Sequence, residues 1–211
     1  MGRPKDAGRR RELLDGCRDY ADEHGLFGLT LRPLAEHLGT STRNLLHHFG
    51  SREALITEIV DRTLDDYLTI SRQLLSRIRA FSSALPPTAE HVADVVAEGL
   101  DYAWSQAHLP EGRRRTAMFF EIYAAATRDH DLRRRFLDPV VTEWLTPLAA
   151  AMETAGTPPE TARSLASRIL AVHRGLLLEY LALGDNPTTT AAHRDAVRTT
   201  RAAILAAVDP R

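Results

Sequence analysis

The segment LRPLAEHLGTSTRNLLHHFG, residues 31–50, decides the fold that we predict for this chain. Apolar residues recur at three- and four-residue spacing over its first eight positions, which predicts a short amphipathic helix. Gly39 follows that helix and is typical of a helix end, and Ser41 or Thr42 can cap a second helix. Two short helices joined by a tight glycine turn predict a helix-turn-helix.

The second of these helices has an apolar side and a polar side. Leu45, Leu46 and Phe49 are predicted to face inward. The remaining residues form its polar surface: Thr42, Arg43, Asn44, His47 and His48. Hydroxyl, guanidinium, amide and imidazole groups are those that contact base edges and phosphates in a major groove. We therefore interpret the helix as a DNA-reading element; the alternative is an ordinary helical hairpin whose polar residues form a solvated face.

Length and composition favour a soluble protein of two domains. A chain of 211 residues with 44% hydrophobic residues can build a small module and a larger core. No apolar run approaches the roughly 20 residues that cross a bilayer, the start of the chain does not resemble a secretory signal, and the single Cys17 cannot form an internal disulfide. We expect a cytoplasmic location without membrane contact. The basic residues of positions 3–11 are expected to contact nucleic acid or to form an ordinary basic terminus.

The rest of the sequence predicts helices only. Ser51 can cap a long helix that reaches to about residue 80, and SSALPP at residues 82–87 is expected to break it. Pro139 and Pro147 predict a kink or a break in a later helix. The apolar face of the next-to-last predicted helix is too wide for one partner helix, and the last helix has a small-residue face suited to close packing. Together they favour a two-fold homodimer through these two helices. The fold class is therefore all-α, with about nine helices.

In organisation the whole chain resembles the TetR-type family of one-component transcriptional regulators. The resemblance is most specific in LTLRPLAEHLGTS, residues 29–41, and LLHHFGSREAL, residues 45–55. It implies a helix-turn-helix domain over residues 1–52 and a ligand-binding and dimerisation domain over residues 53–211. It also implies the residues that face operator DNA: Thr30, Arg32, Ser41, Thr42, Arg43, Asn44, His47, His48 and Arg52.

The chain departs from the family pattern at two positions of the second helix. Leu46 stands where the family usually has a tyrosine that contacts a phosphate, and Arg43 stands where it often has a small residue. We expect Arg43 to contact a guanine. Loss of the tyrosine hydroxyl is expected to weaken positioning on the duplex.

The resemblance further implies an effector site inside the C-terminal helices. Its expected lining is Trp104, Met118, Phe119, Glu121, Tyr123, Phe136, Trp144 and His173. Glu121 and His173 can orient a mostly apolar ligand of unknown identity through hydrogen bonds. No cofactor, metal site or enzyme motif is expected. The chain is predicted to be a repressor that binds a palindromic operator as a homodimer and is released by an effector. The alternative is an all-α ligand-binding protein or enzyme with a degenerate DNA-binding module.

Overall fold

The structure is a computed structural model that describes residues 4–80 and 88–208, with the side chains of residues 8–69, 72, 73, 76 and 88–208. Every element in these ranges is helical, which confirms the all-α prediction. The elements are α1 Pro4–His24, α2 Leu31–His37, α3 Thr42–Phe49, α4 Arg52–Ala80, α5 Ala89–Ala107, α6 Pro110–Ala126, α7 His130–Leu132, α8 Asp138–Thr154, α9 Pro159–Leu183 and α10 Pro187–Ala206. A π-helical segment, Arg133–Leu137, joins α7 to α8.

The chain divides into two compact units. Unit 1 comprises Met1–Asp66 and Ala117–Leu137, and unit 2 comprises Tyr67–Thr116 and Asp138–Arg211. The helices α4 and α6 each contribute residues to both units. The predicted boundary between a DNA-binding domain, residues 1–52, and a ligand-binding domain, residues 53–211, is a functional division of the chain and stays a prediction.

The helix-turn-helix of unit 1 is built from local backbone chemistry. Gly39 takes φ +59°, a left-handed conformation that residues with a side chain rarely adopt, and this lets the chain turn after α2. The Ser41 hydroxyl accepts from the Asn44 N–H at 3.1 Å, and the Ser51 hydroxyl accepts from the Ala54 N–H at 3.0 Å. These two caps confirm the predicted starts of α3 and α4, because each satisfies an N–H that has no partner within its helix.

The core of unit 2 lies between α5, α8, α9 and α10. The helix α10 packs on α5 and α9, and α8 packs on α9. Burial of each large aliphatic side chain in such a core contributes roughly 1.5–3 kcal/mol. The buried core residues are Val92, Ala93, Val95, Val96, Leu100, Leu148, Ala149, Met152, Ala162, Leu165, Ala166, Ile169 and Ile204.

The two internal prolines have different surroundings. The π-helical segment Arg133–Leu137 ends two residues before Pro139, and wider π turns are a recognised source of irregularity in a helix. Pro147 lies inside α8, which continues past it to Thr154. The predicted irregularity therefore lies ahead of Pro139, while α8 runs through Pro147. The break predicted at residues 82–87 lies outside the described residues, as does Arg3.

Candidate DNA interface

The structure brings the nine predicted DNA-facing residues together in unit 1. They occupy the cap positions before α2 and α3, the two helices themselves and the first residue of α4. In chain order they are Thr30, Arg32, Ser41, Thr42, Arg43, Asn44, His47, His48 and Arg52. The helix α3 contributes five of them, so it forms the centre of the candidate interface.

The outward side of α3 is formed by Arg43, Leu46 and His47, which are exposed, whereas Leu45 and Phe49 are buried. Leu46 is 42% exposed, so the prediction that it faces inward is wrong. A helix turns by about 100° per residue, which puts Leu45 and Phe49 roughly 40° apart on one side. Leu46 lies about 60° beyond Phe49 on the same scale, on the side away from Leu45.

Two cationic or titratable groups of α3 are available for a ligand. Neither Arg43 nor His47 has a hydrogen bond or an ion pair to the described part of the chain. The Thr30 hydroxyl also makes no capping bond at the start of α2. Arg32 pairs with Glu36 at 3.2 Å, but both side chains are exposed. Such a surface pair is worth at most about 1 kcal/mol, so Arg32 can exchange it for a phosphate.

Other predicted contacts are engaged within the protein. The Asn44 side-chain amide donates to the Thr40 hydroxyl at 2.9 Å. Arg52 donates from Nε to the Leu29 carbonyl at 2.6 Å and from Nη2 to the Phe27 carbonyl at 2.7 Å. Arg52 therefore holds the connection between α1 and α2, residues 25–30, and its contact with operator DNA stays a prediction.

Arg10 has a structural role that the sequence did not reveal. Its Nε donates to the His48 carbonyl at 3.1 Å, its guanidinium pairs with Glu58, and it lies 5.1 Å from the centre of the Phe49 ring. A cation at the C-terminal end of a helix is favoured by the helix dipole. The helix α3 is thus fixed by Ser41 at its start and by Arg10 at its end.

Glu121 of α6 holds the α1–α2 connection from a second direction. Its carboxylate accepts from the Leu26 N–H at 3.0 and 3.1 Å, one bond for each oxygen, and from the Phe27 N–H at 3.1 Å. All three residues belong to unit 1. Hydrogen bonds to an ionised acceptor are stronger than neutral ones. The connection is therefore anchored by Glu121 on its amides and by Arg52 on its carbonyls; the ligand contact predicted for Glu121 remains untested.

The remaining predicted effector residues fall into both units. In unit 1, Phe119 lies 5.5 Å from Phe136 and 5.9 Å from Tyr123 between ring centres, and Met118 is buried. In unit 2, Trp104 stacks on His193 with 4.4 Å between ring centres. This division places the residues as follows: Met118, Phe119, Glu121, Tyr123 and Phe136 in unit 1; Trp104, Trp144 and His173 in unit 2. Their role in lining a ligand site stays a prediction.

Two polar groups inside unit 2 are suited to contact a ligand. The indole N–H of Trp144 is buried and has no hydrogen-bond partner among the described residues. Burial, together with smaller contributions from the positive charges of His193 and Arg174, lowers the pKa of His173 to about 4. His173 is therefore a neutral imidazole at neutral pH, able to donate one hydrogen bond and accept another.

Comparison with known proteins bears on both halves of the chain. Residues 13–59 match the tetR family of bacterial regulatory proteins, and residues 87–207, more than half of the chain, match the tetracyclin repressor-like C-terminal domain.

Within the described residues no helix is both long and apolar enough to cross a membrane.

Individual relatives agree with these matches. The HTH-type transcriptional regulator BetI of Burkholderia thailandensis is 30% identical over 184 residues, which are 87% of this chain and 87% of BetI. The HTH-type transcriptional repressor KstR2 of Rhodococcus jostii is 35% identical over 91 residues, 42% of this chain and only 45% of KstR2. A putative transcriptional regulator of Saccharomonospora viridis, solved in complex with choline, has the same fold with a TM-score of 0.65 at 18% identity, covering 90% of this chain and 94% of that one. On these matches, the chain belongs to the TetR family of DNA-binding transcriptional regulators.

Proposed function

We propose that this regulator is a repressor that binds a palindromic operator as a homodimer and releases it when a small molecule binds. The observation that carries the proposal is the outward side of α3, where Arg43 and His47 are exposed on a helix fixed at both ends. Residues at the start of a recognition helix are those that reach base edges in the major groove. Such a protein acts on chromosomal DNA, so we place it in the cytoplasm.

A direct experiment tests the proposal as a whole. Bound sequences are selected from a random pool of double-stranded DNA with the purified full chain. An inverted repeat whose half-sites lie about one helical turn apart is expected, because a two-fold dimer presents two copies of α3 to successive major grooves. Recovery of no preferred sequence at modest salt concentrations would reject the proposal. Metabolites are then screened for release of the selected operator.

Arg43→Ala is expected to weaken binding to the selected operator by about 2 kcal/mol and to relax the preference for guanine at one position of each half-site. The physical reason is the loss of a bidentate contact to the guanine edge. Fluorescence anisotropy of labelled operators measures the affinity for the selected and the base-substituted sites. Arg128→Ala is a matched control, because Arg128 is an exposed arginine of unit 1 outside the candidate interface. An equal loss on selected and scrambled DNA would contradict base reading by Arg43.

The proposed dimer forms through α9 and α10. Two large aliphatic side chains of α9 lie outside the core: Val172 is 43% exposed and Leu178 is 49% exposed. Leu176, by contrast, packs against Trp104 and Tyr180 within unit 2. Exposed small residues of α10 permit close approach of a second copy: Ala192, Thr199, Ala202 and Ala206. An isologous contact would cover both surfaces.

Leu178→Glu is expected to raise the dimer dissociation constant at least about tenfold, because two glutamates would have to be buried in a symmetric apolar contact. Sedimentation velocity over a range of protein concentrations measures the change. Leu109→Glu is the matched control, since Leu109 is 52% exposed and lies outside α9 and α10. If Leu178→Glu and the wild-type protein dissociate at the same concentration, α9 is not the interface.

Release by an effector requires only a modest coupling. Induction needs a ligand that prefers the arrangement of the protein that cannot bind operator. A preference of roughly 1–3 kcal/mol over the operator-binding arrangement is sufficient. The helices α4 and α6 are suited to carry this coupling because each contributes residues to both units. On α6, Glu121 accepts hydrogen bonds from the connection that leads to α2. We assign Glu121 the role of a positioning residue in this route.

A further inference from the structure

One exposed residue of α3 is not explained by the polar contacts assigned to it. Leu46 is 42% exposed and lies three residues after Arg43 and one residue before His47. At about 100° per residue, it is roughly 60° from Arg43 around the helix. Its isobutyl group therefore stands on the same surface as a guanidinium that has no partner among the described residues.

The chemistry of a leucine narrows what it can contact in a DNA groove. The side chain has neither a donor nor an acceptor, so it cannot replace the phosphate contact of the tyrosine that the family usually carries there. Among the groups that base pairs present in the major groove, the apolar one is the C5 methyl of thymine. We propose that Leu46 packs against a thymine methyl group and so specifies thymine at one position in each half-site.

The geometry of α3 limits where that thymine lies. Three residues of an α-helix rise by about 4.5 Å, and successive base pairs are about 3.4 Å apart. The thymine is therefore expected within one or two base pairs of the guanine that Arg43 reads. A single exposed leucine is common on protein surfaces. Leu46 differs because it stands beside Arg43, which has no hydrogen bond or ion pair within the described part of the chain. Both lie on a short helix that is capped by Ser41 and held by Arg10.

The inference rests on the proposed function and is tested by removing one methyl group from the DNA. Deoxyuridine replaces each candidate thymine of the selected operator in turn, which leaves Watson–Crick pairing intact. For the wild-type chain, loss of the buried methyl is expected to raise Kd about fourfold for one half-site and about 15-fold for both. For Leu46→Ala, the same replacement at that position is expected to have no effect, so the two changes are not additive.

A second variant separates the methyl contact from a general effect on the helix. Leu46→Tyr restores a hydroxyl that can donate to a phosphate. Operator binding by this variant is expected to be insensitive to deoxyuridine. Its affinity is also expected to fall more steeply with salt concentration, by the slope of about one additional phosphate contact. Thermal melting of both variants is expected to stay close to that of the wild-type protein, because Leu46 is 42% exposed and is not one of the buried core residues.

The outcomes distinguish the two proposals. If the wild-type chain selects no DNA sequence, the proposed function itself fails. In a second outcome, the wild-type chain binds its selected operator, but deoxyuridine raises the Kd of the wild-type and Leu46→Ala proteins by the same factor. In that case the methyl group acts through the DNA alone, and the role of Leu46 is rejected. An absence of any thymine requirement within two base pairs of the guanine rejects it as well.

Discussion

Gly112→Ala is expected to lower the free energy of unfolding by more than about 3 kcal/mol. A Cβ atom on residue 112 would lie 1.8 Å from the Gln106 carbonyl oxygen, 2.8 Å from its carbonyl carbon and 3.3 Å from the Ala107 Cα atom. Favourable contacts between heavy atoms need about 3.5–4.0 Å. The obstructing atoms belong to the backbone at the end of α5, so no side-chain rotation can remove the overlap.

The clash can be relieved only by moving the start of α6 away from the end of α5. Overpacking of this kind costs more than the addition of a methyl group into a flexible site, because hydrogen-bonded helix ends must shift together. A domain of ordinary stability has about 5–15 kcal/mol to lose. We therefore expect a large fall in the urea concentration at the midpoint of unfolding. Circular dichroism at a fixed protein concentration measures this midpoint.

Gly8→Ala serves as the control for the chemical change. Gly8 lies in α1, and a Cβ atom there would meet nothing within 4 Å. Alanine at an open helical position is expected to be neutral or to stabilise by up to about 1 kcal/mol. If Gly112→Ala unfolds at the same urea concentration as Gly8→Ala, the close approach of α6 to Gln106 is refuted.

The features that the sequence predicted are those determined by a few neighbouring residues. Gly39 permits a left-handed turn, and Ser41 and Ser51 cap the helices that follow them. Each of these effects needs only a backbone group within a few residues of the side chain. The boundaries of the helix-turn-helix could therefore be predicted from the order of residues alone.

The features that the sequence did not predict depend on distant partners. Arg10 binds a carbonyl 38 residues away, and Glu121 binds amides 94 and 95 residues away. Neither distance leaves a pattern in the sequence, and backbone partners have no residue-type signature. The apolar character of Leu46 predicts an inward position, but which side of an eight-residue helix is covered depends on the neighbouring elements.

Glu121→Ala is expected to lower the free energy of unfolding by about 3 kcal/mol, since the amides of Leu26 and Phe27 both lose a charged acceptor. Leu26 is fully buried, so water cannot readily replace the carboxylate at its amide. Glu121→Gln keeps one carbonyl acceptor of similar shape and is expected to lose about half as much. Urea unfolding of the full chain measures both variants.

Glu111→Ala is the matched control on the same helix. Glu111 is exposed in the first turn of α6 and pairs with Arg115 at 3.6 Å, so its loss is expected to cost less than about 1 kcal/mol. A similar loss of stability for Glu111→Ala and Glu121→Ala would show that the three bonds to the α1–α2 connection contribute little.

Glu121 should also affect the response to an effector, which separates a positioning role from a purely structural one. If α6 transmits ligand binding through the Glu121 carboxylate, Glu121→Gln will still fold, but the ratio of operator Kd values with and without effector will fall towards one. A variant that only loses stability keeps this ratio, because folded molecules still couple the two sites.

Arg52 holds the other side of the same connection, at the carbonyls of Phe27 and Leu29. Arg52→Ala should therefore also loosen the connection, and a normal ratio in both variants would mean that coupling reaches α3 by another helix.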